Sequence, residues 1–132
     1  MPRRIFRSAT HALSGLMFAC RTERNLCIFL YSYVSFVFAS VLLFPLERGD
    51  LLWLLASGGI FISVELLNTS LERLADAVDD HCKSAHQSHC FVALKHTKDI
   101  AAAASLVSLV FTIMTFLIVL APYVLLVRVL PS

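Results

Sequence analysis

Charge is scarce in this chain. Only 15% of its 132 residues are Asp, Glu, Lys or Arg, against 58% that are hydrophobic, and the mean hydropathy is +0.80. A water-soluble domain of this size needs more polar surface than that, so the composition excludes one. Four cysteines, Cys20, Cys27, Cys82 and Cys90, include no CxxC pair, which removes the usual zinc and redox frameworks. Glycine and proline number four each. With no Walker-type glycine loop and no protein-kinase signature, any phosphate cradle has to be built from side chains. The net charge of +2 is too small to point to nucleic acid, so the basic residues carry meaning by position. No internal repeat, low-complexity tract or linker divides the chain, and residues 1–132 read as one domain.

What is present in quantity is long apolar runs. They cover about residues 26–44, 51–67 and 100–121, each close to the length needed to cross a hydrocarbon core of roughly 30 Å. The second continues as helix to about residue 80. Pro45-Leu-Glu-Arg-Gly-Asp50 reads as a tight turn between the first two runs. Ahead of them, Ile5, Phe6, Ala9, Ala12, Leu13, Leu16 and Met17 recur on one helical face while Arg3, Arg4, Arg7 and His11 fall largely off it. This predicts an amphipathic helix over about residues 3–22, lying on a membrane surface. The segment is basic and amphipathic, unlike a secretory signal. Basic residues concentrate before the first span and between the second and third, which predicts a cytoplasmic N-terminus and second loop. The expected fold is therefore an all-α membrane protein with one surface helix and three spanning helices. Gly58 and Gly59, and the small residues Ala101 to Ala104 with Ser105 and Ser108, offer surfaces for close helix packing. Trp53 and Tyr123 fit interfacial anchors, and Phe29, Phe36, Phe38 and Phe116 fit packing or lipid contact.

The chemistry is concentrated after the second run. Glu65, Asn68, Glu72, Asp76 and Asp79 recur at helical spacing and share a sector of about 80° on one face. A carboxylate at the centre of a membrane helix costs about 2.5 to 3.5 kcal/mol on insertion scales, so Glu65, still within the apolar run, points to function. Glu23, just before the first span, and Lys98-Asp99, just before the third, come to the same membrane face. Glu23 and Glu72 are hard oxygen donors suited to Mg²⁺, which takes one or two carboxylates and relies on substrate phosphates for the rest. Glu65 lies two turns deeper, where it can take a proton from a lipid hydroxyl. Asn68 can hold that hydroxyl or Glu65, and Lys98 can neutralise a transferring phosphoryl group.

Glu65-Leu-Leu-Asn-Thr-Ser-Leu-Glu-Arg-Leu-Ala-Asp76 closely resembles the signature of the prokaryotic diacylglycerol kinase family, which includes undecaprenol kinases. Phe6 through Gly15-Leu16 to Thr22-Glu23-Arg24-Asn25 resembles its surface helix and following acidic residue, and Lys98-Asp99-Ile-Ala-Ala its lysine-aspartate pair. The resemblance implies ATP-dependent phosphorylation of a membrane lipid alcohol. It makes Glu65 the catalytic base, Glu23 and Glu72 the Mg²⁺ ligands, and Asn68, Asp76, Lys98 and Asp99 the lining of the nucleotide site. It places Arg4 and His11 against ATP, and Arg4, Asn25 and Glu65 toward the lipid. It further implies a homotrimer with active sites between subunits, in the cytoplasmic membrane of a prokaryote. Thr22-Glu23-Arg24-Asn25 with Leu66-Leu67-Asn68-Thr69 is more like the undecaprenol branch than the diacylglycerol branch. The chain departs from the family where 76–95 is longer and lacks a His-Pro pattern, at Ala103, where glycine is frequent, and at Phe29, where some members are polar.

Two plainer readings stand beside these. The polar stripe could be interhelical glue in a non-catalytic membrane scaffold or degenerate family member. His81, Cys82, His86, His89 and Cys90 lack CxxC or HxxxH spacing and read as a solvated loop, not a zinc site.

Overall fold

A computed structural model describes residues 2–84 and 90–129. Those residues form helices α1 (Pro2–Thr22), α2 (Arg24–Leu43), α3 (Arg48–Ser84) and α4 (Cys90–Val129), with no strand among them. Three of the four, α2, α3 and α4, are long and apolar enough to cross a membrane.

The breaks between helices have local causes. At Glu23 the backbone is extended (φ −111°, ψ 98°), which ends α1 and begins α2 at a single residue. The Glu23 N–H still closes the last turn of α1 on Ala19 O at 2.8 Å, while Thr22 Oγ1 donates to Phe18 O at 2.9 Å. Hydroxyl bonds of this kind compete with helix continuation. At the other end of α2, Phe44 is extended (φ −126°, ψ 142°) because Pro45 follows it. The chain turns, and Asp50 Oδ2 accepts the Glu47 N–H at 3.2 Å, forming half of a capping box at the start of α3.

Helices α3 and α4 are the most extensively packed pair. Ala101, Ser105, Ser108, Thr112 and Thr115 are buried along α4 at alternating intervals of four and three residues. Leu54, Ser57, Gly58, Phe61, Asn68, Ala75 and Cys82 are buried along α3. Small side chains let the two backbones approach, as in membrane helix pairs generally. The Thr112 hydroxyl donates across the seam to Ser57 O at 3.0 Å. Helix α2 leans on this pair through Tyr33, whose hydroxyl lies 3.3 Å from the Leu54 and Leu55 carbonyls. A Cβ on Gly58 would fall 1.9 Å from the Tyr33 ring, so glycine is required for that approach. A Cβ on Gly59 would meet nothing within 4 Å among the described residues, so of the two adjacent glycines it is Gly58 that the packing of α2 on α3 requires. Between α2 and α4 lies an apolar cleft of about 310 Å³, bordered by edge-on ring contacts of Phe29 with Phe61 and of Tyr33 and Phe36 with Phe116. Phe38 stays exposed.

The long helices exceed their apolar runs at one end. Helix α3 reaches Ser84 instead of stopping near residue 80, and α4 starts at Cys90, ten residues before its apolar run. Residues 90–99 contain neither glycine nor proline, and Leu94, Lys95 and Lys98 face Ala75 and Asp79 of α3 across a small cleft. His81 and Cys82 therefore belong to the last turns of α3, and Cys82 is buried. His86 and His89, with the side chain of Cys90, lie outside the described residues.

Candidate active site at the α3–α4 seam

The polar stripe lies on the packing seam itself. Glu65, Asn68 and Glu72 continue the line of Leu54, Gly58 and Phe61, with Ala75 completing the next step. Helical spacing sends that line toward α4, not into the surroundings of the bundle.

Glu65 is half-buried and is the innermost carboxylate of the stripe. The hydroxyl of Ser105 on α4 donates to its Oε2. One helical turn along, Asn68 is buried, and its Nδ2 lies 3.5 Å from Glu72 Oε1, a weak contact at the limit of hydrogen bonding. Its Oδ1 is buried with no hydrogen-bond partner among the described residues. An orphaned acceptor of this kind costs free energy unless something occupies it. Further out, Lys98 of α4 is paired with Asp76 of α3. The Asp76 carboxylate holds this ammonium above the ordinary lysine range, with Glu72 and Asp79 adding to the effect at longer distance. Asp79 forms a 2.6 Å ion pair with Lys83 on the next turn. A cleft of about 210 Å³ between Ala75, Asp79, Leu94, Lys95 and Lys98 opens at this level.

Acids thus line α3 and lysines line α4, over a deeper carboxylate. Such an arrangement can hold an anion near the lysines and accept a proton at Glu65.

Glu23 approaches from the α1–α2 corner. Its Oε1 accepts from Arg73 at 2.8 Å, and the Arg73 guanidinium sits 4.9 Å from the centroid of the Phe18 ring. Arg4, His11, Asn25 and Asp99 are exposed, and none of their side chains bonds to the seam residues. The structure therefore brings Glu65, Asn68, Glu72, Asp76 and Lys98 onto one line, sets Glu23 beside Arg73, and leaves the other four sequence candidates apart. Two participants were not singled out for the site from sequence. Ser105 looked like one small packing residue among several, and Arg73 lies off the stripe; a hydroxyl facing Glu65 across the seam, and a lone cation following Glu72, were the available signals.

Among the described residues, no three His, Cys, Asp or Glu side chains converge on one metal position. The donors nevertheless suit Mg²⁺ in kind: the Glu72 carboxylate and the buried Asn68 Oδ1, one turn apart on α3, are hard oxygens.

The match to known sequences runs across this whole arrangement. The family model for prokaryotic diacylglycerol kinase covers residues 10–120. The chain belongs to the prokaryotic diacylglycerol kinase family. It is accordingly a multi-pass membrane protein of a lipid-kinase family, whose nucleotide and lipid substrates the membership implies. Searches of curated proteins and of solved structures return no match.

Proposed function

We propose that this family member transfers the γ-phosphoryl group of Mg-ATP to the hydroxyl of a membrane lipid alcohol, with undecaprenol ahead of diacylglycerol as acceptor. One observation carries the reading: Glu65, held by Ser105 at apolar depth, shares a single helical line with Asn68, Glu72 and the Asp76–Lys98 pair.

In this scheme Glu65 takes the proton of the lipid hydroxyl as that oxygen bonds to the γ-phosphorus, and the bond to the bridging oxygen of ADP breaks. Ser105 fixes the carboxylate so that its free oxygen can meet the hydroxyl. Asn68 orients the acceptor or the phosphoryl oxygens. Lys98 balances charge on the triphosphate, exchanging or sharing its Asp76 contact, and Asp99 lines the same end. Glu72 and Glu23 are the carboxylates that would hold Mg²⁺, which when bound neutralises phosphate charge. Arg4 and His11 on α1 reach toward nucleotide or lipid headgroup, and Asn25 toward the lipid.

The same reading makes the chain a homotrimer, with the exposed face of each seam completed by a neighbour. It sets α1 on the cytoplasmic surface with its arginines among headgroups, and the charged ends of α3 and α4 in the cytoplasm, following the positive-inside bias.

The test uses full-length protein in lipid nanodiscs with labelled ATP, Mg²⁺ and, separately, undecaprenol and diacylglycerol. Label appearing in one extracted lipid phosphate supports the scheme and names the acceptor. No transfer to either, from protein that is folded and oligomeric, leaves the non-catalytic scaffold as the reading.

A further inference from the structure

Glu23 stands at the N-cap of α2, where a short acceptor side chain ordinarily bonds the first N–H groups of its own helix. It makes no such bond. Its carboxylate reaches instead across to α3 and accepts from Arg73, fifty residues away in sequence. Arg73 is itself braced, its guanidinium stacked over the ring of Phe18 from the last turns of α1. One side chain of α3 thus contacts both sides of the α1–α2 corner. Both members of the ion pair are about 40% exposed, and pairs in that setting add little to stability. The significance of the contact is positional. Arg73 immediately follows Glu72, so the turn of α3 that presents Glu72 also fixes Glu23, and it engages only Oε1 of that carboxylate.

We propose that Arg73 is a positioning residue: braced on Phe18, it holds Glu23 beside the α3 turn that carries Glu72, leaving the second carboxylate oxygen available to the cation that accompanies the nucleotide. The inference rests on the proposed role of Glu23 and Glu72 as ligands of that cation. Partners that orient a ligand in this way are worth about 10- to 100-fold in metal affinity when removed. The ion pair runs through a single guanidinium nitrogen, so an ammonium can supply its charge though not the planar contact with Phe18, whereas a neutral amide supplies neither.

The experiment measures Mn²⁺ binding by electron paramagnetic resonance to the full-length protein in nanodiscs, with a non-hydrolysable ATP analogue present, alongside kinase kinetics over a Mg²⁺ series. Arg73→Gln is expected to weaken Mn²⁺ binding by about 10- to 100-fold, with a matching rise in the Mg²⁺ needed for half-maximal rate and kcat at saturation within about twofold. Arg73→Lys, which keeps the charge facing Glu23 but not the planar contact with Phe18, is expected to recover part of the loss. Unchanged Mn²⁺ affinity in Arg73→Gln overturns the proposal, and so does a loss that Arg73→Lys fails to recover. Glu23→Gln and Glu72→Gln keep the two levels of inference separate. If they weaken Mn²⁺ binding and Arg73→Gln does not, only the positioning role falls; if they leave it intact, the cation-ligand reading falls as well.

Discussion

The hydroxyl of Ser105 donates to the carboxylate of Glu65, joining α4 to α3 at the innermost carboxylate of the stripe. Serine at this position is therefore more than a small residue permitting close approach. It occupies one oxygen of the carboxylate and turns a flexible side chain into an oriented one.

Glu65→Gln keeps the size and the capacity to accept from Ser105 but cannot take a proton. Phosphoryl transfer is expected to fall by at least about 100-fold, the usual contribution of a general base, with oligomeric state unchanged by size-exclusion chromatography. Ser105→Ala should cost less, about 3- to 10-fold in kcat, because it removes only orientation. Equal losses in the two variants would move the chemistry away from Glu65.

Lys98→Met is expected to raise the KM for Mg-ATP by about tenfold or more, since it removes the charge-assisted contact to the triphosphate that the proposed scheme assigns to Lys98. The Asp76 pairing raises the lysine's affinity for its proton, so the ammonium persists through the ordinary lysine range and is lost only as pH climbs past the raised value. The KM of the parent protein should accordingly stay flat on the alkaline side from roughly pH 7 to 10. A KM that climbs within that window would remove Lys98 from nucleotide contact.

Gly58→Ala would drive a methyl group into the Tyr33 ring and push α2 away from α3. A loss of about 1 to 3 kcal/mol in detergent unfolding is expected, typical of overpacking. Gly59→Ala, with open space around it in the chain, should change stability by less than about 0.5 kcal/mol. A large loss at Gly59 would show a second subunit packed against that position.

At the opposite end of the bundle the Tyr123 hydroxyl donates to Asp50, and the rings of Tyr123 and Phe44 lie 5.9 Å apart. Tyr123→Phe keeps the ring contact and deletes the hydrogen bond. It should lower the unfolding midpoint in detergent and leave kcat and KM unchanged. A change in catalysis instead would mean that the turn end of the bundle takes part in the reaction.

The three apolar runs and the stripe from Glu65 to Asp79 were legible because each is a periodicity, and periodicity survives any detail of packing. The turn at Pro45 was legible because proline constrains its predecessor, and Phe44 is extended as that constraint requires. Other features carried no such mark. The start of α4 at Cys90 arises in a mixed stretch, Phe-Val-Ala-Leu-Lys-His-Thr-Lys, that is helical through its packing on α3 more than through its own pattern. The Ser105–Glu65 bond depends on the register of two helices forty residues apart, which one helix's spacing does not encode. The alliance of Arg73 with Glu23 depends on a one-residue corner whose direction follows from the extended backbone at Glu23. The family resemblance, carried by the stripe and by residues around Glu23 and Lys98, extends over most of the chain in the family match as well.

Helix α3 runs without interruption from Arg48 to Ser84, a rod of about 55 Å. Glu65 and Asp76 are therefore separated by about 16 Å of rigid axis and by a fixed angular phase. A carboxylate within the apolar run and one beyond it are gauged against each other by helical rise alone, with no loop between them to absorb error. Length changes in the connection beyond Ser84 leave that gauge untouched. One residue inserted between Glu65 and Asn68 would rotate everything beyond it by about 100° and put the two halves of the stripe on different faces.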